Sequence, residues 1–246
     1  MRQNEQTPAF VEHDMDLRDF DIPRYLAVLP LFSDMRPPEL ERLAGGCSLR
    51  RLGKGEHVFR VGDPCDEFHV TVVGQIRLYA VSPAGQEKVI QLVGPGNSFA
   101  EAVMFTGHPY LVAAQALTDA LVLTVRKEAV LGEIDRDPRF ALRMLAGLSR
   151  RLHGLVNDVQ SYALQNGVQR VIGYLLHEQS MQGGAGAETV TVSLPVSKAT
   201  IASRLSLTPE YFSRVLHEIE AAGLIEIDNR HIRILDVQQL SDWPVG

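Results

Sequence analysis

The chain has 246 residues, 45% of them hydrophobic and 22% charged, with a formal net charge of −6 at pH 7. That length and composition suit two domains of an ordinary globular protein, and no apolar run reaches the span of a membrane helix. The acidic balance argues against nonspecific coating of nucleic acid or anionic lipid, and two cysteines, Cys47 and Cys65, exclude a disulfide framework or a four-cysteine cluster within one chain.

Residues 1–25 are polar and acidic, without the apolar core of a secretory signal, and are expected to form a mobile arm on a cytoplasmic protein. Pro37–Leu43 suits a short helix. Within 26–137 the pattern turns to short β-type runs, Val58–Phe59, Phe68–Val73, Gln75–Val81, Lys88–Val93 and Leu121–Val125. Gly62, Gly74, Gly85, Gly94 and Gly96 fall at the breaks, the spacing of a compact antiparallel barrel or roll.

Residues 138–164 read as one long helix. Leu145, Leu148, Leu152, Leu155, Val159 and Tyr162 recur at three and four residues, a seam suited to pairing with a second copy of the chain or to packing on the roll. The near-3.5 spacing favours a homodimer. After a break at Gly167, Val168–Gln179 forms another helix, Gly183–Gly186 a flexible loop, and Thr189–Leu194 a strand.

Residues 165–246 then carry the spacing of a winged helix-turn-helix. Lys198–Leu205 is a short first helix, and Thr208 and Pro209 are the N-cap and first position of a second. Phe212, Val215, Leu216 and Ile219 give that helix a buried stripe, while Glu210, Ser213 and Arg214 share another face. In a major groove Arg214 would fork onto guanine, Glu210 accept from the cytosine amino group, and Ser213 adapt to a neighbour. The competing reading is a helix-dipole Glu210 in an ordinary i,i+4 pair with Arg214. Leu224–Ile227 and Ile232–Leu235 flank the turn Asp228-Asn229-Arg230 as a wing, whose Arg230, His231 and Arg233 suit either phosphate or solvent. From Gln165 onward six Lys and Arg face nine Asp and Glu. Lys198, Arg204, Arg214, Arg230 and Arg233 would therefore have to gather on one side to bind DNA, with strong salt dependence.

This order of parts resembles the CRP/FNR superfamily of bacterial transcription regulators from about Leu29 onward, and Glu210-Tyr211-Phe212-Ser213-Arg214 is similar to the E-x-x-S-R recognition helix of the FNR type. The resemblance implies an α+β fold: an N-terminal antiparallel β-roll that is cupin-like and of the cyclic-nucleotide-binding type, a long dimerisation helix, and a C-terminal winged helix-turn-helix. It further implies double-stranded DNA and RNA polymerase as partners, and a palindromic TTGAT/ATCAA-like operator with Arg214 on guanine and Glu210 on the paired cytosine. Lys198, Thr208 and Arg230 complete the DNA-binding set.

Where cyclic-AMP-binding members carry a G-E-L stretch and an R-S pair, this chain reads Ala100-Glu101-Ala102 and Tyr110-Leu111. Without an arginine there nothing neutralises the cyclic phosphate, so cyclic AMP is not expected. No cysteine precedes Cys47, so an iron–sulfur cluster of the oxygen-sensing kind is not expected either. Gly85-Gln86-Glu87-Lys88, Phe99–Phe105 and Arg151-Leu152-His153 resemble the dissimilatory nitrate respiration regulators, a branch associated with nitric-oxide sensing through haem and with activation of denitrification genes. Haem needs an axial donor. Among His13, His57, His69, His108, His153, His177, His217 and His231 the first candidate is His153, in an effector pocket with Glu101, Tyr110 and Leu111. An effector between the roll and the long helix would then change the pairing of the two long helices. The alternative is a cyclic-nucleotide-binding module regulating a partner. Glu87, Glu101 and the histidines lack the spacing of a catalytic triad or zinc hydrolase, so no catalytic residue or metal site is assigned and no enzyme is expected.

Overall fold

The computed structural model describes residues 17–29, 31–32, 35–181 and 190–243. The chain divides into two compact units, residues up to Ile76 with 93–148, and 77–92 with 149–246.

After a 3-10 turn at Leu17–Asp19, helix α1 spans Ile22–Val28 and α2 spans Pro37–Ala44. Strands β1 (Cys47–Leu52), β2 (His57–Phe59) and β3 (Glu67–Val73) follow, then the adjacent strands β4 (Ile76–Val81) and β5 (Glu87–Val93). Next come β6 (Ser98–Phe99), α3 (Glu101–Thr106), β7 (Ala113–Ala116), β8 (Ala120–Arg126), α4 (Lys127–Arg136) and the 26-residue α5 (Arg139–Leu164). In the first unit an antiparallel sheet has the order β1-β8-β3-β6, and β2 pairs with β7. Strand β8 is buried from Ala120 to Val125. Flanked by a strand on each side, it reads as a continuous apolar run, not an alternating one. The β3–β8 register shifts between Thr71 and Val73, next to Gly74. Gly74 has φ +84°, and a Cβ there would sit 2.4 Å from the Asp119 carbonyl oxygen, so the position requires glycine.

Phe32 stacks on Phe140 at 6.0 Å and lies 6.4 Å from Phe68, so the first turn of α5 belongs to the core of this unit. Glu133 of α4, 3% exposed, accepts a two-pronged bond from Arg42 of α2 (2.9 and 3.0 Å) and another from Arg136 (2.9 Å). Residues 20–25, expected within a mobile arm, are instead part of the fold. Asp21 caps α1 by accepting from the Arg24 N–H, and Phe20, Tyr25 and Leu26 are buried, an apolar set too close to a polar stretch to stand out in sequence. Residues 1–16 lie outside the described residues.

The second unit contains α6 (Gly167–Met181), β9 (Val190–Ser193), α7 (Lys198–Arg204), α8 (Pro209–Ala221), β10 (Ile225–Asp228), β11 (His231–Ile234) and α9 (Val237–Ser241). Its sheet is antiparallel in the order β10-β11-β9. The expected glycine-rich loop 183–186 lies outside the described residues. Phe212, Val215, Leu216 and Ile219 of α8 are buried, as are Ile201 and Ala202 of α7, Val171 and Leu175 of α6, and Ile232 and Ile234 of β11. Each fully buried Leu, Ile, Val or Phe side chain contributes roughly 1.5–3 kcal/mol. The apolar stripe therefore settles which face of α8 turns inward.

Candidate nucleic-acid interface

Helix α7 starts at Ser197, whose Oγ accepts from the Thr200 N–H, and ends in the turn Leu205-Ser206-Leu207, with Ser206 at φ +57°. Arg170 of α6 donates to the Leu205 carbonyl at 2.6 Å, satisfying one of the carbonyls that a helix leaves open at its C-terminus. Thr208 then caps α8 by accepting from the Tyr211 N–H at 3.2 Å, and Pro209 takes the first position as its spacing predicts. The helix closes at Gly223, φ +75°, through bonds from its N–H to Glu220 and from Leu224 N–H to Ile219. Glu220 also accepts from the Ile227 N–H at 2.9 Å. That bond, followed by the His217 imidazole, holds the Glu220 carboxyl below its usual range and ties the wing to α8.

With the apolar stripe inward, Glu210 and Arg214 are exposed and Ser213 between them is half-buried. The i,i+4 alternative takes a different form from the one expected. Arg214 Nε lies 3.8 Å from Glu218 Oε1 and its guanidinium 4.8 Å above the Tyr211 ring, while among the described residues Glu210 makes no ion pair. Neither contact hides the guanidinium, since the Arg214 side chain is 64% exposed, and an exposed pair at that distance is worth under about 1 kcal/mol. Of the other cations, Arg230 is exposed at the wing tip and Lys198 half-buried at the start of α7. Arg233 is engaged by Glu226 across the wing at 3.1 Å.

The first unit treats its polar groups differently. His69, 1% exposed, lies 3.0 Å from Thr124 Oγ1 through Nδ1 and 3.2 Å from Tyr110 Oη through Nε2. Tyr110 donates its hydroxyl proton to the Glu67 carbonyl, so His69 Nε2–H donates to Tyr110 and Nδ1 accepts from Thr124. Burial, and then the nearby Arg50 charge, push the His69 pKa down to about 3. Phe59 stacks on Tyr110 at 3.6 Å, and Phe99 lies 5.2 Å from His69. Glu101 is also buried and accepts from Ser98 Oγ at 3.1 Å. Leu111 turns outward, 70% exposed, and His153 is exposed on α5, so of the expected effector-pocket residues these two lie at the surface while Glu101 and Tyr110 are buried. Tyr110 and Leu111 are chain neighbours on opposite sides of the backbone, a distinction a sequence register does not contain.

On α5, Leu145, Leu152, Leu155 and Val159 are exposed and Leu148 is half-buried; the Tyr162 side chain lies outside the described residues. Tyr211 and Glu220 are the residues the sequence reading passed over. Tyr211 sits inside the quoted motif, but its contact across the unit with Gly167, read in sequence only as a break, has no local signal.

The profile described as "Cyclic nucleotide-binding domain" matches residues 49–137, and that described as "Crp-like helix-turn-helix domain" matches residues 169–243. A "CRP-like cAMP-activated global transcriptional regulator" of Mycobacterium tuberculosis is 22% identical over 216 residues, 88% of this chain and 96% of that protein. The structure of FixK2 from Bradyrhizobium japonicum, 22% identical, covers 81% of this chain and 98% of that one with a TM-score of 0.72, which shows the shared fold. The sensor domain of the transcriptional regulator DNR from Pseudomonas aeruginosa is 34% identical and covers 55% of this chain and 90% of that one, with a TM-score of 0.50. With a domain of the cyclic-nucleotide-binding type followed by a Crp-like helix-turn-helix, the chain belongs to the CRP/FNR family of DNA-binding transcription regulators and is not an enzyme.

Proposed function

We propose that this regulator works as a homodimer, reads a TTGAT/ATCAA-like palindrome, and activates genes of nitrogen-oxide respiration in response to nitric oxide. The observation that carries the DNA half is the exposure of Glu210 and Arg214 on the outer face of a capped α8. Arg214 donates to guanine O6 and N7, Glu210 accepts from the cytosine N4 amino group, and Ser213 reaches a flanking base or phosphate. Lys198, Thr208 and Arg230 face the backbone, where they set position without reading sequence. The apolar face of α5 supports the dimer. In the single chain Leu152 is 62% and Val159 65% exposed, the signature of a helix whose partner is a second copy, with RNA polymerase recruited by the bound dimer.

The effector half rests on the histidines. Among the described histidines, His69 has both ring nitrogens committed, and His57 Nδ1 faces the Arg60 guanidinium at 3.2 Å and must accept from it. His153 suits an axial ligand better. Its Nδ1 donates to the Ser149 carbonyl at 3.1 Å, which makes Nε2 the lone-pair nitrogen of an exposed side chain. Haem bound there would supply an iron that takes nitric oxide. The chain's own part is to orient the imidazole through Ser149 and to pair the two α5 helices differently in the liganded and unliganded states. The effector must therefore bind one pairing more tightly than the other. Tyr110, at the place where a phosphate-binding arginine would be needed, is buried and stacked on Phe59, which supports the expectation that cyclic AMP is not the effector.

Absorption spectroscopy of the dimer with added haem tests the sensor reading. A Soret band that shifts with nitric oxide and is lost in His153→Ala supports it; free-haem behaviour in both proteins contradicts it. Calorimetric titration with cyclic AMP and cyclic GMP tests the rival module, and tight binding of either would restore it.

A further inference from the structure

The start of α6 is fixed by reciprocal capping: Asn166 N–H donates to Gln169 Oε1 at 2.9 Å, and Gln169 N–H to Asn166 Oδ1 at 3.0 Å. Gly167 is held inside that cap and is buried. The Tyr211 ring lies directly on it. A Cβ built on Gly167 would stand 2.3 Å from Tyr211 Cε1 and 2.9 Å from Cζ and the hydroxyl oxygen, so only glycine admits the ring in this place. The Arg214 guanidinium lies over the same ring, 4.8 Å from its centroid, with Glu218 a turn further along at 3.8 Å. Arg214 is thus bracketed by an aromatic face three residues before it and a carboxylate four residues after it. A long, exposed arginine otherwise loses much rotamer freedom when it docks on a base edge.

We propose that Tyr211 is a specificity-determining positioning residue. Seated on Gly167, it acts as a platform that holds the Arg214 guanidinium in the conformation that meets guanine. The proposal rests on the base-reading role of Arg214 and extends it in one direction. Gly167 stands three residues beyond the last residue of α5, so a change in how α5 runs into α6 moves the seat of Tyr211 and with it the platform under Arg214. The state of the long helix thereby reaches the base-reading side chain through two residues that touch no nucleic acid. The attraction itself is electrostatic, from the face of a phenol ring, so it depends on the ring and not on the hydroxyl.

The test is fluorescence anisotropy of the full chain on a TTGAT/ATCAA duplex and on the same duplex with the G·C pair exchanged for A·T. Five proteins are compared: wild type, Arg214→Ala, Tyr211→Phe, Tyr211→Leu and Gly167→Ala. Tyr211→Phe keeps the wild-type ratio of the two affinities. Tyr211→Leu lowers that ratio by about three-fold, the scale of one exposed cation–π contact. Gly167→Ala moves it in the same direction, because the added methyl displaces the ring. Thermal melting of each variant separates this from simple packing, which lowers the melting temperature and weakens both duplexes equally, leaving the ratio unchanged. An unchanged ratio in Tyr211→Leu, while Arg214→Ala abolishes the preference, overturns the platform alone. No preference in the wild type overturns the base-reading role and the platform together.

Discussion

The two units handle polar side chains in opposite ways. In the first unit buried His69 bonds to buried Tyr110 and Thr124, and buried Glu101 accepts from Ser98, so each is spent on holding the interior together. In the second unit Glu210 and Arg214 project from the outer face of a helix whose inner face is packed and whose ends are capped. A buried polar group left unpaired costs on the order of 1–3 kcal/mol, so the interior of the first unit has little freedom to change partners. An exposed arginine forfeits almost nothing when it trades Glu218 for a guanine. The contrast separates a committed interior from an exposed helix face that carries the proposed reading head.

The largest expected effect comes from breaking the exposed face of α5. Leu155→Arg puts a charge into the proposed seam, which converts the dimer to monomer and weakens binding to a palindromic duplex by at least about 100-fold, since both half-sites no longer bind as one unit. Analytical ultracentrifugation together with anisotropy checks this; an intact dimer would mean that another surface pairs the chains.

The second expectation sharpens the claim that the first unit's polar interior is structural. His69 is neutral when folded, with a pKa near 3, whereas the unfolded chain takes up a proton near pH 6.5. Its contribution is therefore complete above pH 6.5 and is lost as the pH falls toward 3. At pH 5 the loss is roughly 2 kcal/mol relative to neutrality. The groups facing His69 are Tyr110, Thr124, the Glu67 carboxylate at 4.0 Å and the Arg50 charge. Denaturant unfolding at pH 7 and pH 5 should show a steeper acid loss in the wild type than in His69→Gln; equal slopes would contradict the assignment.

The smallest effect is local. Ala100 precedes α3 at φ +71° with no side-chain cap, a left-handed conformation that disfavours any residue bearing a Cβ. Ala100→Gly relieves about 1–2 kcal/mol of that strain and returns part of it as unfolded-state entropy, for a net gain of about 0.5–1 kcal/mol in calorimetry. A loss of stability would mean that the methyl group packs more favourably than its backbone suggests.

How much of this was legible in sequence also divides along the two units. Helix α8, its cap, its buried stripe and its outward face were all readable, because Thr208-Pro209 and a 3.6-residue period act within a dozen residues. Strands β1 and β7 were not. β1 reads Cys-Ser-Leu-Arg-Arg-Leu and is largely exposed, so its charges hide the alternation, and β7 is built from alanines and a glutamine with little strand propensity of their own. Both are strands because of the neighbours they pair with. The same limit applied to the sites. Glu210, Ser213 and Arg214 were found by spacing, but the Tyr211 seat on Gly167 joins residues far apart in sequence, and the outward turn of Leu111 beside the inward Tyr110 depends on packing alone.

The central claim is that an exposed Arg214 reads a guanine, and the most direct measurement is the affinity of wild type and Arg214→Ala for the TTGAT/ATCAA duplex and for its G·C-exchanged counterpart, each across a salt series. Wild type should prefer the matched duplex, and Arg214→Ala should lose about 1–3 kcal/mol on that duplex while its preference at the position disappears. An equal loss on both duplexes, with the salt slope reduced by about one, would mark Arg214 as a phosphate contact and contradict the account.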